Sequence, residues 1–429
     1  MICCYLRNRS STLSILGTTQ SFLKDEEMDD KRDFVMVTVS GPDRPGITAA
    51  FSKILADNHV EIVDIEQASL QDFLGLSFLL DMSRAKQSKD SVLKDLLFEA
   101  SRLRLNLNFQ LFSEKDVKAR NSKNLFVLTY FGDTRALAEI SSILGEENAN
   151  IELISNLTQH CASCVELTID VNGVQSLNRL KERVIAKSHE LNIDLALQKM
   201  EAYRKNKRLV FFDMDSTLID MEIIDEMARR AGVFKEVARI TEKARRGDLD
   251  FEEALIQRVA LLKGLKVEEL EKIKGEIKLS EGAEDLVMTL KQLGFKQGLV
   301  SGGFHYFADY LKAKLGLDFA YANQLEIKNG ALTGRVLGDI VDNTYKAKIV
   351  NMVSSEEGVL LDQTVAIGDG ANDVLMLGQA GLGIAYNAKE KLERAANMSL
   401  GRARLKNILY ILGISEEEMG SWSICEGPA

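Results

Sequence analysis

Three features of the sequence predict an α/β protein: a parallel-sheet core preceded by two smaller α+β modules. From residue 208 onward, short apolar runs alternate with helical patterns. Three of those runs end directly in motifs rich in Asp, Ser and Gly. Upstream, the stretch beginning at Phe34 recurs in altered form from Leu125. Near-continuous apolar runs between helices suit strands buried on both faces, and a repeated strand–helix–strand pattern suits small layered modules.

Size and composition narrow the function classes. A chain of 429 residues is too long for one core. With 45% hydrophobic and 28% charged residues it reads as globular and soluble. No apolar run approaches the roughly 18 residues of a membrane helix. A net charge of -10 argues against general nucleic-acid binding, which needs a basic surface. Cys161 and Cys164 form a CxxC at the start of an expected strand. No second Cys or His pair is spaced for zinc, so the thiols read as inert, in a reducing cytoplasm.

Taken in order, residues 1–32 are polar and mixed, and their apolar part is too interrupted for a secretory signal. They read as a disordered or non-native extension, with Met28 as an alternative start. The repeat follows. "FVMVTVSG" (34–41) matches "LFVLTYFG" (125–132) at an offset of 91 residues, and "SKILADNHVEI" matches "SSILGEENANI" at 89. The loss falls in the turn, where "PDRPG" (42–46) faces the shorter "DTR" (133–135). Each copy reads as strand, helix, strand, strand, helix, strand, which gives modules at 33–115 and 124–200 joined by a basic linker.

The third region begins near residue 205. "RLVFF" ends at Asp213, "FKQGLV" runs into "SGG", and "QTVAI" runs into "GDGAND". Ligands of open α/β sheets bind beyond the carboxyl ends of the strands, so these motifs should meet in one crevice. That brings Asp213, Asp215, Asp369 and Asp373 together, where they repel unless a cation intervenes. A hard divalent ion with oxygen ligands solves the problem, and Mg2+ fits best. Lys346 and Ser301 add positive and donor groups, with Lys348 a rival lysine. Gly302 and Gly303 let backbone N–H groups approach an anion. Asp213 is then the expected nucleophile and Asp215 the acid and base, since alternate residues leaving a strand point the same way. Thr217 supports them. In "EALIQRVALL", Leu255, Val259 and Leu262 form an apolar stripe. Arg258 falls on that stripe, and arginine is rarely buried without a partner. A substrate carboxylate bound bidentately would serve; so would a structural pair with Glu222. Glu222 adjoins the Ile223/Met227 face and could instead hold an ammonium. His305 follows "SGGF" with no nearby metal partner and reads as a helix-face residue.

Residues 208–415 resemble the haloacid dehalogenase superfamily, and within it the phosphoserine phosphatases. The matching stretches are "FDMDSTLIDMEIIDEMA", "RVALLKGL", "LVSGGFHYFAD", "ANQLEIKNGALTGRV" and "IGDGANDVLMLGQAGLGIA". The resemblance implies a Rossmann-like core over 205–429 with a helical cap at about 218–280. It implies hydrolysis of phosphoserine through an aspartyl-phosphate, the last step of serine biosynthesis. It assigns Mg2+ to the Asp213 side chain, the Asp215 carbonyl and Asp369. Phosphate falls to Ser301, Gly302, Lys346 and Asn372, and the substrate's carboxylate and amine to Arg258 and Glu222, with Phe251 lining the pocket. The first repeat copy resembles the ACT domain, a ferredoxin-like amino-acid-sensing module, through Asp43, Pro45 and Gly46 in "GPDRPGI". This implies a homodimer or higher homo-oligomer and a serine effector bound at that turn. The second copy lacks the Pro-Gly. Two other functions compete: a phosphatase for a longer phosphorylated amino acid, and a sensor with an inactive phosphatase body. The intact acidic and lysine motifs argue against the latter.

Overall fold

A computed structural model describes residues 33–113, 123–158, 163–388, 398–401 and 404–423. The extension expected at 1–32, and Cys161, lie outside the described residues. The chain forms two compact units divided between Ser122 and Lys123.

The first unit holds strand β1 (Phe34–Pro42), helix α1 (Ile47–Asp57), β2 (Glu61–Leu70), β3 (Phe73–Asp81), α2 (Lys89–Arg102) and β4 (Asn106–Phe112). The antiparallel sheet runs β2-β3-β1-β4. The period of two along β1 places Val35, Val37 and Val39 inside. They meet Ile47, Phe51 and Leu55, spaced one helical turn apart on α1. The Ser88 hydroxyl caps α2 by accepting from Ser91 N at 3.3 Å.

The second unit opens with the same topology: β5 (Leu125–Phe131), α3 (Thr134–Glu146), β6 (Asn150–Asn156), β7 (Cys164–Asp170), α4 (Leu177–Leu191) and β8 (Leu195–Lys199), in sheet order β6-β7-β5-β8. Then come β9 (Leu209–Phe212), α5 (Ile223–Ala231), α6 (Phe234–Arg246), α7 (Phe251–Leu261), α8 (Val267–Glu276), α9 (Ala283–Gln292), β10 (Lys296–Phe304), α10 (His305–Leu315), β11 (Phe319–Lys328) and β12 (Ala331–Leu337). The unit ends with α11 (Asn343–Glu356), β13 (Thr364–Gly368), α12 (Val374–Gln379), β14 (Leu382–Tyr386), β15 (Met398–Leu400), α13 (Ile408–Ile411) and α14 (Glu416–Ser423).

β9 lies between β10 and β13 and is parallel to both. This is the point where the strand order reverses, and there a crevice opens past the strand ends. Both faces of the parallel sheet are covered, as the apolar runs require. Val210, Phe212, Val365 and Ile367 belong to one core, and Leu209, Phe211 and Ala366 to the other. Thus the α/β core, the helical cap and the α+β modules expected from sequence are all present.

The sequence gives no hint that the second module is joined to this core by backbone. β15 pairs parallel with β14 on one side and antiparallel with β8 on the other, which makes one sheet of 11 strands. The module's helix-free face is covered as well: Leu157 and Cys164 pack against Tyr410, and Gln198 Nε2 donates to Ile411 O at 3.1 Å. Arg204, buried, pairs with Glu166 of β7. Burial pushes the Cys164 thiol well above its ordinary range, as an inert cysteine requires.

The helical cap spans α5 to α8 and is fastened at three places. Its entry and exit segments pair antiparallel, with Asp220 N donating to Lys278 O and Ser280 N to Leu218 O, both at 3.0 Å. Further on, the 264–267 segment bonds the β11–β12 hairpin: Gly264 N to Leu332 O, Leu332 N to Leu265 O and Val267 N to Gly330 O, each at 2.9 Å. Tyr306 of α10 hydrogen-bonds Glu271 of α8, and Lys274 Nζ lies 3.8 Å from the Tyr306 ring centroid.

Candidate active site

Asp213 leaves the end of β9, with its N–H donating to Ile367 O of the neighbouring strand at 2.8 Å. Asp369 and Asp373 follow β13, and carboxylate oxygens of Asp213, Asp369 and Asp373 lie within 4.8 Å of one another. Lys346, on α11, is fully buried among them. Its Nζ donates to Asp213 Oδ1 at 2.6 Å and to Asp373 Oδ1 at 2.7 Å. The rival Lys348 is exposed. The sequence favours Lys346, which stands one helical turn ahead of the apolar Ile349 and Val350, and all three are buried on α11. Asp373, expected only in support, is itself one of the two anchors of that ammonium.

Charge is not balanced in this cluster. Burial, and then the Asp373 charge, push the Asp213 carboxyl well above the ordinary carboxylate range, although Lys346 opposes this. Asp369 is pushed up to about 7 by burial and then by Asp373. Burial works against the Lys346 charge, yet Asp213 and Asp373 more than offset it and hold its pKa above the usual lysine value. Three carboxylates facing one ammonium leave an excess of negative charge on hard oxygen donors. That donor set fits a divalent cation such as Mg2+.

Asp215 stands apart from the three. Its Oδ1 accepts from Ile223 N at 3.1 Å, at the start of α5. Burial, reinforced by Glu222, pushes its pKa up to about 8. The turn that follows is strained: Ser216 has φ 57 without being glycine. Ser216 Oγ donates to Glu222 Oε1 at 3.2 Å. Thr217 is fully buried, and its hydroxyl finds no partner among the described residues.

Ser301 is buried at the end of β10, and its Oγ accepts from Gly303 N at 2.9 Å. A Cβ on Gly303 would stand 2.8 Å from Asp215 Oδ2, and one on Gly302 would stand 2.9 Å from Phe251 Cζ. The two glycines therefore let the acid and the cap's Phe251 close over this turn. Asn372 sits in the short turn after β13, with its Oδ1 against Gly370. His305 Nε2 accepts from Ala322 N at 3.4 Å, a structural contact. Asn323 was not singled out from the sequence. Buried on β11, it donates to Gly302 O at 2.8 Å and accepts from Val341 N at 2.8 Å, fixing the glycine turn. Only its place inside "ANQLEIKNG" could have pointed to it.

In the cap, Leu255, Val259 and Leu262 are buried as the stripe requires. Arg258 is half-buried beside them. Desolvation lowers its pKa, against the attraction of Glu222 and Asp225. Among the described residues no carboxylate lies within ion-pair distance of it. The Arg258–Glu222 pair that would make both residues structural is therefore not formed.

Asp43, Pro45 and Gly46 lie far along the chain from these groups, in the first unit, and line a cavity of about 500 Å3. Gly46, at φ 94, begins α1 without any side-chain cap. At the matching point of the second copy, Asp133 caps α3 by accepting from Arg135 N at 3.0 Å and Ala136 N at 3.2 Å. The N–H groups left open in the first copy are spent in the second.

Residues 207–381 match the family model of haloacid dehalogenase-like hydrolases, and residues 33–110 match that of the ACT domain. The chain is 39% identical over 388 residues to the phosphoserine phosphatase of Streptomyces coelicolor, covering 90% of this chain and 93% of that protein. It is 37% identical over 394 residues to a phosphoserine phosphatase of Mycobacterium tuberculosis, covering 90% and 94%. A solved structure of a probable phosphoserine phosphatase from Vibrio cholerae, unliganded, is similar at 33% identity and a TM-score of 0.55, over 69% of this chain and 88% of that one.

Proposed function

Because this chain belongs to the phosphoserine phosphatase family of haloacid dehalogenase-like hydrolases, we propose that it hydrolyses O-phospho-L-serine to serine and phosphate, the last step of serine biosynthesis. In this reading an Asp213 carboxylate oxygen attacks phosphorus and the bond to the serine oxygen breaks. Asp215 protonates the departing oxygen. A pKa of about 8 favours a proton on Asp215 at neutral pH, as an acid needs. In the second half Asp215 takes a proton from the water that cleaves the aspartyl-phosphate. Ser301 and the Gly302 backbone hold the phosphate oxygens, Asn372 orients them, and Lys346 stays beside Asp213 as charge shifts. Asp213, Asp369 and the Asp215 carbonyl would hold Mg2+, which supplies charge neutralisation to the phosphate when bound.

Arg258 carries the choice of substrate. A desolvated guanidinium without a carboxylate partner, in a cap beside Glu222, suits a ligand bearing both carboxylate and ammonium. The test compares phosphate release from phosphoserine and from an aryl phosphate. Arg258→Ala and Glu222→Gln should lower kcat/KM for phosphoserine by about 100-fold, from lost charged hydrogen bonds of roughly 1.5–3 kcal/mol each, and spare the aryl ester. Equal losses on both would refute the assignment. A longer phosphorylated amino acid turned over faster than phosphoserine would refute the substrate.

A second reading concerns regulation. The uncapped α1 terminus and its cavity support serine binding at Asp43, Pro45 and Gly46, in a homodimeric cytoplasmic enzyme. Calorimetry with serine on the full chain and on Asp43→Ala tests it; equal affinities would overturn it.

A further inference from the structure

Resting on the reading that Arg258 receives the substrate carboxylate, we propose that Thr241 is the positioning residue that aims the guanidinium. Arg258 is tethered twice. Its Nε donates to Ala254 O at 3.2 Å, one turn back on α7. Its Nη1 donates to Thr241 Oγ1 at 3.5 Å, on the neighbouring helix α6. Thr241 in turn donates its hydroxyl hydrogen to Val237 O at 3.1 Å.

A hydroxyl offers one hydrogen and two lone pairs. With its hydrogen committed to Val237, Thr241 has only acceptor capacity left for Arg258, so the contact has a fixed sense. The two tethers also decide which edge of the guanidinium remains. Because Nε–H is used by Ala254, the fork made of Nε and Nη2 cannot be offered whole. The end-on fork, one hydrogen each from Nη1 and Nη2, remains, and it matches the two oxygens of a carboxylate. Glu222, Asp225 and Asp215 attract the Arg258 charge while Arg245 repels it. An untethered guanidinium would turn toward those acids and leave the ligand-facing orientation. Thr241 does not touch the reacting atoms, and its effect should appear in binding of the carboxylate.

The experiment measures KM and kcat of the full-length enzyme for phosphoserine and for O-phosphoethanolamine, which keeps the phosphate and the ammonium but has no carboxylate. Thr241→Val preserves shape and removes the acceptor. It should raise KM for phosphoserine about fivefold, at the low end for a hydrogen bond from a charged donor because this contact is long at 3.5 Å, with kcat changed less than about twofold and O-phosphoethanolamine unaffected. Thr241→Ser should return KM toward the native value. Added to Arg258→Ala, the Val substitution should have no further effect. An unchanged KM in Thr241→Val, equal changes on both substrates, or a Ser variant no better than Val would overturn the proposal. If Arg258→Ala discriminates between the substrates while Thr241→Val does not, only the role of Thr241 falls. If Arg258→Ala fails to discriminate, the carboxylate reading falls and the role of Thr241 with it.

Discussion

Replacing Lys346 by methionine tests whether this ammonium holds the acidic cluster together. The substitution keeps the length of the side chain and deletes a charge that is fully buried. Two contacts disappear, to Asp213 at 2.6 Å and to Asp373 at 2.7 Å. At an effective dielectric near 20 each is roughly 6 kcal/mol of gross attraction. The ammonium's own desolvation offsets much of that, and removing one partner of a buried pair costs about 3–5 kcal/mol net. The expectation is a fall of that size in unfolding free energy, measured by urea titration in EDTA at pH 8. The loss should depend on pH, with a definite sign. Asp213 and Asp369 have folded pKa values raised above the ordinary carboxylate value, Asp369 to about 7. Such groups bind more protons folded than unfolded, so stability is present below about 4 and drains away as pH rises toward 7 and beyond. Without Lys346 the raised values rise further. The deficit should therefore be smaller at pH 5 than at pH 8, and millimolar Mg2+ should recover part of it at pH 8. A deficit under about 1 kcal/mol, or one equal at the two pH values, would refute the picture of an over-charged cluster neutralised by Lys346.

Asp213→Asn should abolish turnover while leaving the fold intact, because a carboxamide is a poor nucleophile; a covalent phosphate trapped on another residue would end that assignment. Asp215→Asn should also nearly stop turnover, and native-like rates would exclude its acid–base role. Gly303→Ala would force a Cβ to within 2.7 Å of Met214 Cε and 2.8 Å of Asp215 Oδ2; kcat should fall roughly tenfold or more through misplacement of the acid, and an unaltered kcat would show that the turn adjusts freely. A chain cut to residues 203–429 should melt well below one cut to 123–429, since it bares the β15 edge and removes Glu166, the partner of Arg204. Equal melting temperatures would show that the second module is dispensable to the core.

What the sequence revealed and what it hid divide along a physical line. Asp213, Ser301 and Asp369 each follow an apolar run, and strands of a parallel sheet expose their ends on one side, so a local pattern was enough to bring them together. The repeat was legible because Val35 and Phe126, or Leu55 and Leu144, serve equivalent core positions in two copies of one topology. Asn323 and Thr241 left no such trace: each acts through hydrogen bonds to residues distant in sequence. The β8–β15 pairing was equally hidden, because backbone pairing between two edges needs no particular side chain. The difference between Asp133 and Gly46 was half visible. The lost Pro-Gly could be read, but not that a carboxylate now fills the N–H groups it exposed.

The cap is held by backbone at its paired ends and through the 264–267 segment, and by Tyr306 against α8. α6 joins it differently: Val237 is buried in the shared core, and Thr241 accepts a hydrogen bond from Arg258 of α7 at 3.5 Å. The arginine read as the carboxylate's partner is therefore also a rivet between two cap helices, so a ligand that grips it engages a residue that both helices hold.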